Sequence, residues 1–362
     1  MDSRAGRRRD RVRAGKLMRT RLHASINQLL IVMLVLSWAC KGALPIPPKT
    51  VHSTVSATVG FFRHEATNHH DQTTLEALCR ELRFSVAPWT SEFVNDEANW
   101  FDEKGQRKLD IFIVPGGDSY RWFEKKIDGS FGIGINEKGC RNIVKFIESG
   151  GSCIGICHVG PALFARTWIW KGLTGKMVED GMKWGPYVHS GPGGMLNVYG
   201  VTAIFKGTVM GPQESNIPYP RVRFLPIELN QENPIVKKAR LPHAVHLMVA
   251  GGSSQIPTPS QPIEVIGWFP NGTAAISVLK HGNGHLYMVA PHPNITLENG
   301  RDQIRNLISG KYARMMGLND QQINEAVSIL NREGDRDGPT PDLMLMKAIL
   351  VDAAERATLP GK

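Results

Sequence analysis

The chain has 362 residues, with 43 lysines and arginines, 33 aspartates and glutamates, a formal net charge of +10 and 41% hydrophobic residues. This composition excludes a disordered tail protein, a collagen-like repeat and a polytopic membrane protein, and the length suits one large domain or two ordinary ones. The first 24 residues alone carry +7, which leaves +3 for the other 338. A body with so little excess charge lacks the electrostatic signature of nucleic-acid binding, so we expect no nucleic-acid partner.

The basic start is followed by an apolar run over residues 29–40. A run of about 12 residues is shorter than the roughly 20 that a membrane-spanning helix needs, and behind a basic segment it is typical of a signal peptide. We therefore predict a signal peptide or N-terminal anchor at residues 1–40 and export to the periplasm or beyond. A retained segment would allow membrane association through residues 26–40. The proline-rich, polar residues 41–56 predict a linker.

Strand-like and helix-like patterns alternate in the next hundred residues. The predicted strands cover residues 57–62, 84–87, 109–114 and 153–156, and the predicted helices cover residues 71–82 and 136–148. Buried strands alternating with amphipathic helices predict an α/β fold, with a mostly parallel sheet covered by helices on both faces.

The pattern changes after about residue 175, where short β-like runs predominate. They cover residues 195–209, 221–229, 244–250, 263–269, 274–279 and 285–290, and the last two predict a hairpin. Helical patterns return at residues 298–308, 320–330 and 343–356. We therefore predict a main domain over residues 57–310 with a β-rich second half. A helical C-terminal extension over residues 311–362 is predicted to be an appendage.

The strongest chemical signal is the sequence Gly155-Ile156-Cys157, in which an apolar strand ends on a cysteine. A sharp strand-to-helix turn would expose the sulfur at the sheet edge, where the start of a helix favours a thiolate and a developing oxyanion. Cys157 is therefore a candidate nucleophile; the alternative is a buried structural cysteine. A thiol nucleophile needs a base, for which His292 and the adjacent His158 are the candidates.

Four segments in this order carry a resemblance to a known family. They are residues 112–117 (FIVPGG), 142–151 (NIVKFIESGG), 155–157 (GIC) and 282–293 (GNGHLYMVAPHP). The chain resembles the class I glutamine amidotransferase superfamily, and within it the N-terminal domain of eukaryotic-type biotin–protein ligases and its stand-alone bacterial relatives. The resemblance covers roughly residues 57–310 and implies a flavodoxin-like sheet. Since only residues 311–362 follow, biotin transfer is not expected.

The resemblance also implies roles for individual residues. The elbow cysteine, Cys157, would attack an amide, and His292 would be the base. The position of the orienting acid is occupied by Asn294, which can orient an imidazole but cannot offset its positive charge; Glu298 is a further candidate. The oxyanion- and substrate-binding loop would comprise Gly116, Gly117 and Asp118.

These observations favour an exported cysteine-dependent hydrolase or amidotransferase-like protein that acts on an amide or related acyl bond. Its substrate would be a small-molecule or peptide-like amide. One alternative is a catalytically inactive binding protein, which the asparagine at position 294 motivates. Another is deglycase- or protease-like chemistry by Cys157 and His158, because the turn Cys157-His158-Val159-Gly160-Pro161 resembles that of the intracellular protease/deglycase family. The cysteines lack metal-ligand spacing, and residues 64–70 are interpreted as a polar loop, so we expect no metal and no cofactor.

Overall fold

The computed structural model describes residues 53–117, 126–157, 163–171, 177–178, 183–184, 187–188, 199–205, 222–250, 254–257, 263–295, 324 and 341–358. All of them belong to one compact unit, Pro48–Lys362. The predicted signal peptide, His158, Asp118 and Glu298 lie outside the described residues, as do the predicted helices at 298–308 and, except for Asn324, 320–330.

The first half alternates strands and helices, as the sequence predicts. Its elements are β1 (Thr58–Phe62), α1 (His69–Glu81), β2 (Ser85–Trp89), α2 (Ser91–Asn95), α3 (Glu97–Trp100), β3 (Ile111–Val114), α4 (Glu137–Glu148) and β4 (Ser152–Ile156). Both long helices begin at an asparagine cap. Asn136 accepts a hydrogen bond from the Gly139 N–H (3.0 Å) at the start of α4, and Asn68 caps α1 in the same way.

The second half is rich in strands. Its elements are β5 (Ala165–Lys171), β6 (Met177–Val178), β7 (Lys183–Trp184), β8 (Tyr187–Val188), β9 (Tyr199–Phe205), β10 (Val222–Leu229), α5 (Pro234–Ala239), β11 (Ala244–Ala250), β12 (Ser254–Pro257), β13 (Glu264–Trp268), β14 (Ala274–His281), β15 (Gly284–Val289) and α6 (Pro341–Thr358). The predicted hairpin is present, because β14 and β15 pair antiparallel with Val278 opposite Tyr287.

Thirteen of the described strands form one sheet, in which β2-β1-β3-β4-β15 are consecutive parallel neighbours. The sheet continues through β14, β12, β9, β5 and β6, while β10, β11 and β13 branch from it. The structure is therefore a mixed α/β fold with a partly parallel sheet. Every residue of β3 and β4 is buried, which explains their uninterrupted apolar sequences.

The parallel direction brings several loops to one edge of the sheet. The carboxyl ends of β1, β3, β4 and β15 all lie there, because these strands are parallel neighbours. Ligands of open α/β sheets bind outside this edge. The segments that leave this edge are residues 63–68, 115–117, 157 and 290–295. They include Pro115-Gly116-Gly117, Cys157 and His292, which belong to the motifs described above.

The C-terminal helix α6 belongs to the core, so its prediction as an appendage is wrong. Leu345, Ile349 and Leu350 are fully buried in the same apolar cluster as β1, β3 and β15. The helix is also tied to the sheet, since the Ser152 hydroxyl donates to the Ala353 carbonyl (2.8 Å). Its sequence is apolar on nearly every side, a pattern of buried helices that outweighs its position at the end of the chain. Among the described residues, no helix is both long and apolar enough to span a membrane.

Truncation of α6 provides a test of this packing. Ile349→Ala should lower the free energy of unfolding by about 2–5 kcal/mol, because it leaves a cavity in a fully buried site. The matched control is Ile127→Ala, which removes the same atoms from a fully exposed side chain and should change stability by less than about 0.5 kcal/mol. Chemical denaturation measures both values. Equal stability of the two variants would show that α6 does not contribute to the core.

Candidate active site

Cys157 occupies the turn that directly follows β4. Its φ angle is 63°, in the left-handed region that residues with a side chain rarely adopt, and its N–H donates to the Val289 carbonyl (2.8 Å) of β15. Such backbone strain at the end of a central strand is typical of a nucleophile elbow. The side chain is only 3% exposed, so the thiol lies within the protein at the carboxyl edge of the sheet.

His292 lies beside Cys157, in the loop that follows β15. Its N–H donates to the Met248 carbonyl (2.8 Å) of β11, which fixes the backbone of the loop. The imidazole is buried, and it lies close to Cys157, since a Cβ atom placed on Gly116 would be 2.8 Å from Cε1 of His292 and 3.0 Å from Cβ of Cys157. The Nδ1 atom of His292 lies 3.1 Å from Oδ1 of Asp71. A cysteine, a histidine and a carboxylate thus lie close together.

Asp71 was not identified as a site residue from the sequence. It is the third residue of α1, is completely buried, and lies 221 positions from His292 in the chain. Oδ2 of its carboxylate accepts a hydrogen bond from the Gly116 N–H (2.8 Å). One signal was present: an acidic residue in the first turn of the helix after β1 must lie near the carboxyl edge of the sheet. The first helical turn also favours its negative charge.

Asn294 contacts Asp71, so the prediction that it orients His292 as the third member of the site is corrected. Its side-chain amide donates to Oδ1 of Asp71 (2.6 Å) and to the Thr74 hydroxyl (2.8 Å). The carboxylate at Nδ1 of His292 is that of Asp71. The physical reason is that Asp71 can accept hydrogen bonds from both neighbours. The side-chain N–H of Asn294 is a donor suited to a carboxylate, and a carboxylate is the acceptor that an imidazolium requires.

The charges of the site stabilise one another. Burial raises the pKa of Asp71, but the charge of His292 and hydrogen bonds from His292, Asn294 and Gly116 outweigh it, so this pKa lies below its usual value. Burial lowers the pKa of His292, but the negative charges of Asp71 and Cys157 and the hydrogen bond to Asp71 outweigh it, so this pKa lies well above its usual value. The arrangement therefore favours a carboxylate on Asp71 and an imidazolium on His292 at neutral pH.

Gly116 lies where these three side chains converge. A Cβ atom at this position would be 2.6 Å from Oδ2 of Asp71, 2.8 Å from Cε1 of His292 and 3.0 Å from Cβ of Cys157. The backbone is held on both sides, because the Gly116 carbonyl accepts from the Asn68 N–H (2.7 Å) while its own N–H donates to Asp71. This N–H is thus engaged with a carboxylate, in contrast to the predicted oxyanion-binding role of Gly116.

Gly117 packs against the loop after β1. A Cβ atom there would be 2.2 Å from the Ala66 carbonyl oxygen, and Gly117 forms an isolated β-bridge with Thr67. Of the polar loop predicted at residues 64–70, residues 64–68 form a turn in which Nδ1 of His64 accepts from the Ala66 N–H (3.0 Å), whereas His69 and His70 begin α1. Among the described residues, no group of three or more histidines, cysteines and acids is arranged to hold a metal ion.

The other described cysteines differ from Cys157. Cys79, Cys140 and Cys153 are buried, and no disulfide joins the four cysteines of the described segments. Burial raises the pKa of Cys140 to about 12, and it also raises the pKa values of Cys79 and Cys153 well above the ordinary value of a thiol. These three thiols are therefore protonated and unreactive at neutral pH.

Comparisons with known proteins do not establish a family. No family model matches the chain, and no curated protein matches it. A β-galactosidase from Bacillus circulans sp. alkalophilus is 13% identical with a TM-score of 0.37, over 66% of this chain and 29% of that one. A cytoplasmic protein from Salmonella typhimurium is 11% identical with a TM-score of 0.35, over 64% of this chain and 86% of that one. A carbohydrate deacetylase is 7% identical with a TM-score of 0.39, over 70% of this chain and 32% of that one. The chain thus spans under a third of the length of the galactosidase. Because the identities and TM-scores are this low, we infer nothing about function from these structures.

Gly116→Ala tests the convergence of the three side chains. The added methyl group should displace Asp71 and His292 and slow the alkylation of Cys157 by iodoacetamide at pH 7 at least tenfold, because the thiolate loses its cation. The control is Gly272→Ala, in the turn before β14, where a Cβ atom meets nothing within 4 Å. Because the φ angle of Gly272 is 79°, this variant also shows what backbone strain away from the site does to the alkylation rate. Quantitative mass spectrometry of the modified Cys157 peptide gives both rates. A Gly116→Ala protein that is alkylated at the wild-type rate would contradict the described geometry.

The pH dependence of alkylation tests the role of Asp71. Asp71→Asn removes the main charge that raises the His292 pKa, so the imidazolium should persist only to a lower pH. Without that cation the thiolate should form at higher pH, and the midpoint of the alkylation profile should move up towards the ~8.5 of an unperturbed thiol. Asp102→Asn, in an exposed turn, serves as the control. An unchanged or lower midpoint in Asp71→Asn would show that Asp71 does not act through His292.

Proposed function

We propose that this protein is a cysteine-dependent hydrolase or amidotransferase-like enzyme that cleaves an amide or a related acyl bond. The observation that carries this proposal is the buried convergence of Asp71, His292 and Cys157 around Gly116, with His292 hydrogen-bonded to Asp71 and Cys157 in a strained turn at the carboxyl edge of the sheet. A nucleophile, a base and a group that orients the base are the three parts that acyl transfer requires.

The reaction follows from the charges of the resting site. The Cys157 thiolate attacks the carbonyl carbon, a C–S bond forms, and the carbonyl electron pair moves to oxygen. When the C–N bond breaks, the imidazolium of His292 gives its proton to the departing nitrogen, leaving an acyl thioester. Water then attacks the thioester while His292 accepts a proton, and cleavage of the C–S bond releases the acid and restores the thiolate.

Asp71 keeps the same charge throughout this cycle. Its carboxylate holds the imidazole by Nδ1 and stabilises the positive charge that His292 carries in the resting enzyme. The oxyanion would be bound by the backbone N–H of Gly117, because the N–H groups of Gly116 and Cys157 already donate to Asp71 and to the Val289 carbonyl. We therefore assign Gly116 to holding the carboxylate and Gly117 to the oxyanion.

The order of the parallel strands supports the finer fold assignment. With the five parallel strands numbered along the chain, β2-β1-β3-β4-β15 corresponds to the order 2-1-3-4-5, which is that of flavodoxin-like folds. This order and the position of Cys157 after the fourth parallel strand support the resemblance to class I glutamine amidotransferases and to the N-terminal domain of biotin–protein ligases. Export through residues 1–40 stays a prediction.

The inactive-binding alternative has less support than the enzyme. The alternative was motivated by Asn294, which occupies the position of the acid that would orient His292. In the structure the carboxylate of Asp71 lies at Nδ1 of His292, so an acid is present beside the imidazole. The alternative that pairs Cys157 with His158 stays a prediction, because His158 lies outside the described residues.

Trapping of the acyl-enzyme tests the proposed function. A panel of amides and activated esters is incubated with the full chain, and the covalent adduct and the released amine are measured. Cys157→Ala should abolish both signals and His292→Ala should lower amine release at least 100-fold, since it removes both the cation and the proton donor. Cys140→Ala, at another buried thiol, should retain both signals. Turnover that survives Cys157→Ala would refute the assignment of the nucleophile.

A further inference from the structure

A polar cleft of about 540 Å³ opens beside the candidate active site. Its walls come from Arg63 and His64 after β1, from residues 90–95 around α2, and from residues 126–136 after β3. The chain passes from β1 to β2 on one side and to β3 on the other, so the strand order reverses between β1 and β3. Such a reversal leaves a crevice at the carboxyl edge in which α/β proteins bind their ligands.

Within the described residues, the loop after β1 connects this cleft to the candidate triad. His64, in the cleft wall, belongs to the turn that ends at Thr67, and Thr67 pairs with Gly117. The preceding residue, Gly116, contacts Cys157, His292 and Asp71 as described above. A molecule lying in the cleft would therefore be next to the loop that contacts the thiol, which makes the cleft a candidate for the part of the substrate beyond the reacting bond.

The wall of the cleft is fixed by hydrogen bonds between distant segments. Asn95 on α2 donates to the Gly134 carbonyl (2.8 Å) and accepts from the Asn136 N–H (3.0 Å). The Ser91 hydroxyl donates to the Ile133 carbonyl. These contacts join α2 to the segment after β3, so the cleft is formed before any ligand binds.

The lining presents charges of both signs. Lys126 and Arg63 supply positive charge, Glu92 and Asp128 supply negative charge, and every described residue of the lining is polar, charged or glycine. Arg63 is ion-paired with Glu76, which Arg80 also contacts, and the Arg63 side chain stays 45% exposed. A lining of this kind favours a hydrophilic ligand with both positive and negative groups and disfavours an acyl chain.

Charged groups of both signs within one cleft match a peptide, which carries such groups on one short chain. The positive groups come from Arg63 and Lys126 and the negative groups from Glu92 and Asp128. Uncharged polar groups between them, such as those of Thr90 and Ser130, can hydrogen-bond to peptide amides.

We propose that the cleft binds the remainder of a short peptide, with charged groups of both signs, whose amide reacts at Cys157. The volume lies within the roughly 300–1,000 Å³ of sites that hold drug-sized ligands, which suits a tri- or tetrapeptide better than a free amino acid. The inference rests on the proposed function, because it names the substrate class of the same site.

Calorimetric titration of the full chain carrying Cys157→Ala tests binding apart from chemistry. The probes are a tetrapeptide with one lysine and one glutamate, the same peptide with both replaced by alanine, and free glutamine. The charged peptide should bind at least tenfold more tightly than the other two. Added to this background, Lys126→Ala and Glu92→Gln should each weaken its binding about tenfold, and Lys104→Ala, on an exposed turn outside the cleft, should leave it unchanged.

The outcomes separate this inference from the proposed function. Equal binding of glutamine and the charged peptide, insensitivity to Lys126→Ala and Glu92→Gln, or no binding of the peptide would overturn the inference, while thioester formation at Cys157 with another amide would still support the proposed function. Charge-dependent peptide binding without any acyl-enzyme in the wild-type protein would support the cleft and refute the enzyme. Circular dichroism confirms that each variant is folded.

Discussion

The buried carboxylate of Asp71 is the constraint on which the candidate site depends. A carboxylate without exposure to water is tolerated only when partners replace its hydration, and removal of one partner from a buried ion pair typically costs about 3–5 kcal/mol. Asp71 receives these partners from two separate segments: the glycine loop after β3, and the loop after β15, which supplies both His292 and Asn294. One side chain thereby fixes the start of α1 relative to both loops.

The sheet makes this convergence geometrically simple. Because β1, β3, β4 and β15 are parallel neighbours, each leaves the sheet at the same edge, and a short loop suffices to place its residue there. The helices on the sheet serve the site in different ways. α1 contributes Asp71 from its first turn, whereas α6 buries the apolar side of the strands and contributes no described residue to the candidate triad. Stability and chemistry are thus assigned to different elements around the same strands.

The sequence predicted the elements that local patterns specify. The continuous apolar runs identified β1, β3 and β4 to within two residues, and the turn after β4 identified Cys157. Asp71 was not predicted as a site residue, because its role depends on a contact with a residue 221 positions away. No local pattern distinguishes it from an ordinary acid near the start of a helix. The sequence analysis predicted α6 to be an appendage because the helix lies near the end of the chain. The structure places it in the core, as the many apolar residues of its sequence require. The cleft could not be predicted, since it is formed by hydrogen bonds between α2 and the segment after β3.

The 221-residue separation of Asp71 and His292 has a consequence for biosynthesis. A ribosome makes the N-terminal part first, so Cys157 exists for some time before the strand that carries His292 has been synthesised. During that interval its thiol lacks the cation that would make it reactive. Insertion of β15 between β4 and β14 completes the parallel strands and brings the imidazole to the sulfur in one event. Reactivity therefore arises only after the chain has been synthesised beyond His292, which protects a nascent thiol from oxidation and from premature attack on other molecules.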